Sequence, residues 1–193
     1  GRDVVVLEAT DGVGGRVRSD LVKGYRLDRG FQVLLTAYPE LGKQFDVNAL
    51  DLRRFEPGAL VWNGTKMHLV GDPTRRPRTL LKTGLAPVGS ITDKVRLLRQ
   101  RIRLGRTSAP ALLRQEDLST LEALKNDGFS QAMIDGFFRP FVGGIQLDPA
   151  LATSRRMFDV VLKSLFAGAA AVPAGGMQAI PDQLAGRLPN GTV

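Results

Sequence analysis

The sequence contains no cysteine and a single histidine, His68. A chain without cysteine has no disulfide bond, thiolate metal site or cysteine nucleophile, and one histidine cannot build a histidine-based metal cluster. A Ser–His–Asp triad would have to use His68, and no nucleophile-elbow motif accompanies it. We therefore interpret His68 as an ordinary strand residue and expect no metal site.

Long apolar runs are also lacking, and no segment is long enough to span a bilayer. The 193 residues are nevertheless 43% hydrophobic, which is enough for a folded core and excludes global disorder. The absence of cysteine is compatible with the cytosol, and we expect a cytoplasmic protein.

Acidic residues are outnumbered, with 19 Asp and Glu against 27 Lys and Arg, so the formal net charge is +8. Such an excess attracts nucleic acid, anionic lipid or an acidic ligand. No recognition motif for DNA or RNA is present, and aromatic residues do not interleave with the basic ones. We therefore expect no nucleic-acid partner.

The segment that begins at Val4 is the most informative part of the chain. Val4 to Leu7 is apolar, mostly β-branched and without alternation, which predicts a strand buried on both faces of a parallel sheet. Glu8 then stands at the carboxyl end of that strand, where open α/β sheets bind ligands. A carboxylate there can accept hydrogen bonds from two ribose hydroxyls.

A glycine-rich loop that closes on an arginine follows the acid. Gly12, Gly14 and Gly15 allow positive φ and let the backbone approach a ligand closely. Arg16 can donate charge-assisted hydrogen bonds to a diphosphate. A strand, a surface acid and a flexible glycine loop explain the same residues, and spacing alone leaves both interpretations open.

The string Leu-Glu-Ala-x-x-x-x-Gly-Gly-Arg-x-x-Ser, which starts at Leu7, resembles a signature of the flavin-containing amine oxidase superfamily. That superfamily includes amine oxidases, protoporphyrinogen oxidases and carotenoid (phytoene) desaturases. The resemblance implies FAD as cofactor, with Glu8 on the adenosine ribose and Gly14, Gly15 and Arg16 close to the cofactor. Thr10 departs from the pattern, because many members have arginine there.

A second resemblance covers residues 24–40, which are similar to the segment that runs beneath the flavin. The Asp-x-Gly-Phe core and the later Ala-Tyr-Pro are most similar to the carotenoid desaturase branch. Tyr25 to Asp28 is predicted to form a short strand, and Gly30 permits close backbone approach. The resemblance places Gly30, and more weakly Gln32, at the cofactor.

The segment Val172 to Pro181 resembles a third element of the superfamily, in which Pro-x-Gly-Gly-Met introduces a helix that returns from the substrate domain. Backbone amides at this helix start are expected to face an anion or the cofactor. The glycine fingerprint that precedes the acid in the superfamily is expected upstream of Gly1, and the last flavin motif after Val193. We therefore expect these 193 residues alone to bind FAD weakly or not at all and to be inactive.

The middle of the chain contains a hairpin signal and helices. Ala59–Trp62 and Thr65–Val70 flank Asn63-Gly64, which favours a type I′ turn with both residues at positive φ. Helices are predicted after the capping residues Ser90, Ser119 and Ser130 and after Thr153 or Ser154. A phenylalanine cluster is interpreted as core packing or, alternatively, as the wall of a tunnel for a large apolar substrate; its members are Phe137, Phe138, Phe141 and Val142.

The helix after Ser90 is basic and amphipathic. One apolar face is predicted from the spacing of Ile91, Val95, Leu98 and Ile102, and Lys94 to Arg106 includes six basic residues. Such a helix can lie on an anionic membrane or pack its apolar face into the protein. Peripheral membrane contact through 94–106 therefore remains one of two possibilities.

Together, these features predict an α/β protein with an incomplete Rossmann-like FAD-binding domain and an inserted mixed α+β substrate domain. The FAD domain is assigned to 1–55 and 172–193, and the substrate domain to 56–171. The resemblance implies an FAD-dependent oxidoreductase that removes hydride from a C–H bond of an apolar, small-molecule organic substrate, as a desaturase does. An amine oxidase, a protoporphyrinogen-oxidase-like enzyme and a non-catalytic or basic membrane-surface protein remain alternatives.

Overall fold

Strands are concentrated in residues 19–71 and helices in residues 80–167 of this computed structural model, which describes residues 4–30, 33–72, 74–189 and 192. The strands are β1 Ser19–Val22, β2 Tyr25–Asp28, β3 Leu34–Leu35, β4 Leu52–Arg54, β5 Gly58–Trp62, β6 Met67–Gly71 and β7 Ala170–Pro173. The helices are α1 Leu41–Gln44, α2 Leu80–Leu85, α3 Ile91–Arg106, α4 Ala109–Arg114, α5 Thr120–Asn126, α6 Gln131–Met133, α7 Arg139–Gln146, α8 Arg155–Ala167 and α9 Ala179–Ala185. Within the described ranges, no helix is long and apolar enough to cross a bilayer.

The chain divides into two units. Unit 1 comprises 1–55 and 168–193, and unit 2 comprises 56–167. The first boundary coincides with the one expected from the sequence, whereas the second lies four residues earlier, because β7 pairs with strands of unit 1. The assignment of FAD binding to one unit and substrate binding to the other remains a prediction.

Unit 1 contains a hairpin, β1–β2, and a three-stranded sheet in the order β3-β7-β4. All of the strand pairs between described residues are antiparallel. The β1–β2 turn has both central residues at positive φ, Lys23 at 50° and Gly24 at 85°, as a two-residue type I′ turn requires. The strand predicted at Tyr25–Asp28 is confirmed.

The buried strand predicted at Val4–Leu7 is wrong. All four side chains are exposed, Leu7 to 92%, and the segment has no strand assignment. A strand covered on both faces needs bonded neighbours and layers above and below. In the described part of unit 1, the segment makes one backbone bond, from Val6 N–H to the carbonyl of Thr192 at 2.7 Å, and no strand pairs with it.

The hairpin of unit 2 is confirmed, but its turn is not the predicted one. Trp62 pairs with Met67, so four residues form the loop, and only Gly64 has positive φ. The Asn63 side chain accepts hydrogen bonds from Thr65 N–H, the Thr65 hydroxyl and Lys66 N–H. This side chain replaces the backbone bonds of a tighter turn, which explains the longer loop. His68 lies in β6, as predicted.

The core of unit 2 forms around Phe138, which is fully buried. Its ring meets those of Phe129, Phe137 and Phe158 edge to face, with centroids 4.9, 5.5 and 6.1 Å apart. Capping boxes at Ser90 and Ser119 are confirmed, as is the capping role of Ser130. Phe138 and Val142 are buried in this core, which favours the core-packing interpretation of the cluster.

The helix that begins after Ser130 continues past Arg139 and Pro140. Residues Ile134–Phe138 form a π-helical turn, and Arg139 N–H bonds to the carbonyl of Ile134. Pro140 has no N–H and cannot make the usual helical bond. The wider turn immediately before it lets the chain continue as α7.

Candidate functional site

The three sequence motifs converge in unit 1. Ser19 and Asp28 face each other at the open end of the β1–β2 hairpin, and the Ser19 hydroxyl donates to the Asp28 carboxylate. The segment that leads into α9 lies against this pair. Met177 N–H donates to Asp28 Oδ1 at 3.0 Å, and Gln178 N–H donates to Ser19 Oγ at 3.1 Å.

These bonds change the interpretation of the α9 entry. The amides of Met177 and Gln178 were expected to face an anion or cofactor. The structure pairs both amides with side chains of this same chain: the anion that Met177 N–H faces is the Asp28 carboxylate, and Gln178 N–H bonds to the Ser19 hydroxyl. The Asp28 carboxylate supplies the negative charge that amides near a helix start favour.

Gly176 makes this close approach possible. Its φ is +84°, and a Cβ atom there would lie 2.6 Å from Ser19 Oγ. Neither the backbone conformation nor the space admits a larger residue. Gly175 differs, because its Cβ would meet only Ala179 Cβ, at an ordinary 3.6 Å.

The glycine loop of the first motif packs on the same segment. A Cβ on Gly14, whose φ is +113°, would lie 2.8 Å from Pro181 Cγ. The Gln178 side-chain amide donates to the carbonyl of Val13 at 3.1 Å. Gly14 is therefore explained by packing between two parts of unit 1.

Gly15 has a different environment. Its φ is +51°, and no heavy atom of the described structure, apart from its chain neighbours, lies within 4 Å of the position of a Cβ. A ligand can therefore approach the backbone at Gly15. Gly12 is more enclosed, because its Cβ would meet the Arg18 guanidinium at 3.6 Å.

Glu8 stands exposed at the start of this loop. The Thr10 backbone N–H and hydroxyl donate to Glu8 Oε1 at 2.9 and 2.8 Å. The bond from the Thr10 N–H, followed by that from its hydroxyl, holds the pKa of Glu8 below its usual range. Glu8 is thus an ionised acceptor at neutral pH, which suits two ribose hydroxyls.

Arg18 closes the loop from the other side. Its guanidinium donates to Asp11 Oδ1 at 2.8 Å and to the Thr10 hydroxyl at 3.3 Å. Only 13% of the Arg18 side chain is exposed. A guanidinium therefore reaches the position where Thr10 departs from the superfamily pattern, although it comes from eight residues further along.

The remaining predicted site residues are less enclosed. Arg16 is exposed at the end of the glycine loop, and Gly30 is exposed with a φ of +97°. Gln32 lies outside the described residues.

These residues fit the ribose and diphosphate part of FAD. The ionised Glu8 carboxylate is an accessible hydrogen-bond acceptor, and a ligand can approach the open backbone at Gly15. Arg16, the next residue, adds positive charge. The motifs alone did not predict the roles of four further residues, Ser19, Asp28, Gln178 and Arg18. All four lie within the quoted segments, which was the available signal, but their partners become visible only in the structure.

Unit 2 has a shallow recess between α7 and α8. It is lined by apolar side chains and one amide, including Phe141, Ile145, Gln146, Val161 and Leu165. Both polar atoms of the Gln146 side chain are buried and have no hydrogen-bond partner in the described structure. A buried amide of this kind requires a partner, which a water molecule or a ligand can provide.

Comparisons with known proteins were made for the whole chain. The family model described as flavin containing amine oxidoreductase matches residues 1–193. Protoporphyrinogen oxidase 2, chloroplastic/mitochondrial, of Arabidopsis thaliana is 27% identical over 161 residues, which are 82% of this chain and 31% of that protein. The chain thus spans about a third of the length of this relative. No solved structure matches significantly.

Proposed function

We propose, because this chain belongs to the family of flavin-containing amine oxidoreductases, that the complete protein is an FAD-dependent oxidoreductase. The observation that carries the proposal is the family match over 1–193, with an ionised Glu8 at the start of its glycine loop. In this proposal Glu8 binds the adenosine ribose, and the backbone at Gly15 with Arg16 binds the diphosphate. Gly12, Gly14, Gly30 and Gln32 complete the proposed cofactor contacts.

FAD, when bound, supplies the hydride acceptor. The described residues bind and orient it: Glu8 accepts hydrogen bonds from hydroxyls, and Arg18 holds the loop in place through Asp11 and Thr10. Asp28 and Ser19 fix the turn that follows the insert. No described residue is assigned to proton transfer.

We propose an apolar, small-molecule organic substrate that loses hydride from a C–H bond, as in desaturase-like dehydrogenation. The resemblance of residues 24–40 to the carotenoid desaturase branch supports this proposal. The similarity to protoporphyrinogen oxidase 2 favours a second candidate, a protoporphyrinogen-oxidase-like reaction.

We further propose a cytoplasmic protein with peripheral membrane contact, since an apolar substrate partitions into lipid.

The first test is the absorbance spectrum of the purified full-length protein, with the released cofactor identified. We expect FAD, and a protein that stays colourless after reconstitution contradicts the proposal and favours a non-catalytic role. Anaerobic mixing with a polyene, protoporphyrinogen or a primary amine then separates the candidate reactions. Only the true substrate class bleaches the flavin.

The second test concerns Glu8. Glu8→Gln in the full-length protein is expected to weaken FAD binding by about tenfold, because a hydrogen bond to a charged group contributes roughly 1.5–3 kcal/mol. Glu116→Gln is the matched control, since it makes the same substitution at an exposed acid of unit 2, outside the proposed ribose site. Equal losses in both variants, measured by equilibrium titration with FAD, would exclude the assigned role of Glu8.

A further inference from the structure

Helix α3 turns an apolar face to solvent. Ile91, Val95, Leu98 and Ile102 follow one another at spacings of four, three and four, and are 77%, 45%, 51% and 46% exposed. Side chains at this spacing lie on one side of a helix. We call these four residues the apolar ridge. The sequence predicted the face correctly, and the structure leaves it uncovered by unit 2.

The opposite side of α3 holds the helix to unit 2. Leu104 is buried in the core, and Leu97 packs against it. Asp93 is fully buried and accepts hydrogen bonds from Ser130 N–H and the Ser130 hydroxyl at 2.8 and 2.7 Å. Because this side is anchored, the helix cannot rotate to bury the ridge in unit 2.

Most basic residues of α3 already have partners. Arg101 pairs with Asp72 at 2.8 Å and Arg103 with Asp159 at 3.0 Å. Lys94 donates to two carbonyls at and just after the end of α2. Arg99 and Arg106 are exposed and form no ion pair with any described residue. At 100° per residue they lie about 50–70° around the helix from the centre of the ridge, on one flank.

We infer that the apolar ridge with Arg99 and Arg106 docks on the surface of an anionic phospholipid bilayer. Aliphatic side chains enter the boundary between headgroups and acyl chains, while flanking guanidinium groups bind phosphates. The net charge of +8 favours this partner over a neutral or basic one. The α2 helix, immediately before α3 in unit 2, adds exposed Leu80, Leu81 and Leu85.

The inference rests on the proposed function in one respect only, because membrane binding would give the enzyme access to an apolar substrate. The geometry of α3 is independent of flavin chemistry. The alternative occupants of the ridge are a different segment of the full-length protein and a second copy, and the test below distinguishes them from lipid.

The test uses full-length protein and vesicle flotation with phosphatidylcholine alone or mixed with phosphatidylglycerol. We expect binding to the anionic vesicles at low salt and little binding to neutral ones. Arg99→Gln combined with Arg106→Gln should weaken partitioning about thirtyfold, because each basic residue near such a surface contributes several-fold. Leu98→Ser should weaken it further. The control is Lys66→Gln with Lys125→Gln, which removes the same charge from exposed positions elsewhere.

Three outcomes would overturn the inference. The protein could ignore anionic vesicles, or the control pair could reduce binding as much as the arginine pair. Hydrogen exchange of the lipid-free protein could also show that the amides of 91–102 are protected more strongly than helical hydrogen bonds explain. That protection would mean that another segment or copy covers the ridge. Flavin content and oxidation of detergent-dispersed substrate are measured in the same variants, so failure of lipid binding and failure of the proposed enzyme activity are distinguishable.

Discussion

The carboxylate of Asp28 accepts a hydrogen bond from the backbone N–H of Met177, 3.0 Å away and 149 positions along the chain. This bond joins the second sequence motif to the third, although all of unit 2 lies between them along the chain. Ser19, the last residue of the first motif, donates to the same carboxylate. Changes at any one of these positions are therefore expected to affect the other two.

Gly176→Ala is expected to destabilise this junction. A left-handed conformation costs an L-residue roughly 1–2 kcal/mol, and the new Cβ would also collide with Ser19 Oγ at 2.6 Å. The measurement is the urea midpoint of the flavin-bound full-length protein, together with its FAD content. Gly175→Ala is the matched control, because its Cβ has ordinary space. Equal effects of the two substitutions would contradict the packing explanation.

Asp93→Asn is expected to destabilise the protein at neutral pH by roughly 3 kcal/mol, as removal of a buried charged acceptor does. Burial alone would raise the pKa of Asp93, but hydrogen bonds from the N–H groups of Ser130 and Ser90, and from their hydroxyls, outweigh it and hold the pKa well below its usual range. The Asp93 carboxylate of the folded protein thus stays ionised at pH values at which the same group in the unfolded chain takes up a proton.

The sign of the pH dependence follows from that lowered pKa. The stabilisation by Asp93 is fully present above the unfolded pKa of about 4 and is lost as the pH falls through the folded value. Urea midpoints of wild type and Asp93→Asn, measured from neutral pH to about pH 3, should converge toward the acid end. A constant difference across this range would refute the assignment. Glu122→Gln, in the exposed capping box, should have a much smaller effect.

Asp159→Asn is expected to destabilise unit 2 by roughly 1.5–3 kcal/mol, because it replaces the charged acceptor of the Arg103 guanidinium, whose side chain is 35% exposed, with a neutral one. The carboxylate is fully buried and accepts bonds from both terminal nitrogens of Arg103, at 3.0–3.1 Å, and from the Gln115 amide at 2.9 Å. The check is the thermal unfolding midpoint. Asp135→Asn, which breaks an exposed pair with Arg139, is the control and should shift it little.

Much of the local structure could be predicted because its causes lie within a few residues. The capping boxes at Ser90 and Ser119 and the strand at Tyr25–Asp28 follow from local hydrogen bonds and side-chain preference. The turn at Asn63 was predicted in place but not in type, since its side chain offers bonds that compete with the backbone turn.

Features that depend on residues far along the chain could not be predicted in the same way. The apolar run at Val4–Leu7 has the composition of a buried strand, yet burial requires covering layers, and the described part of unit 1 provides none. The spacing in α3 identified an amphipathic helix but not which side would be anchored. Asp93 and Leu104 decided that, through bonds and contacts with elements far along the chain.

The sequence by itself determined the family, the glycine and acid positions of the candidate site, and most helix starts, because short motifs and local hydrogen bonds specify these. The tertiary structure decided which glycines are needed for packing, that the amides before α9 are satisfied by Ser19 and Asp28, and that the apolar side of α3 faces solvent. The physical reason is the same in each case. Burial and pairing are relations between segments, and a residue's own identity does not reveal what will lie against it.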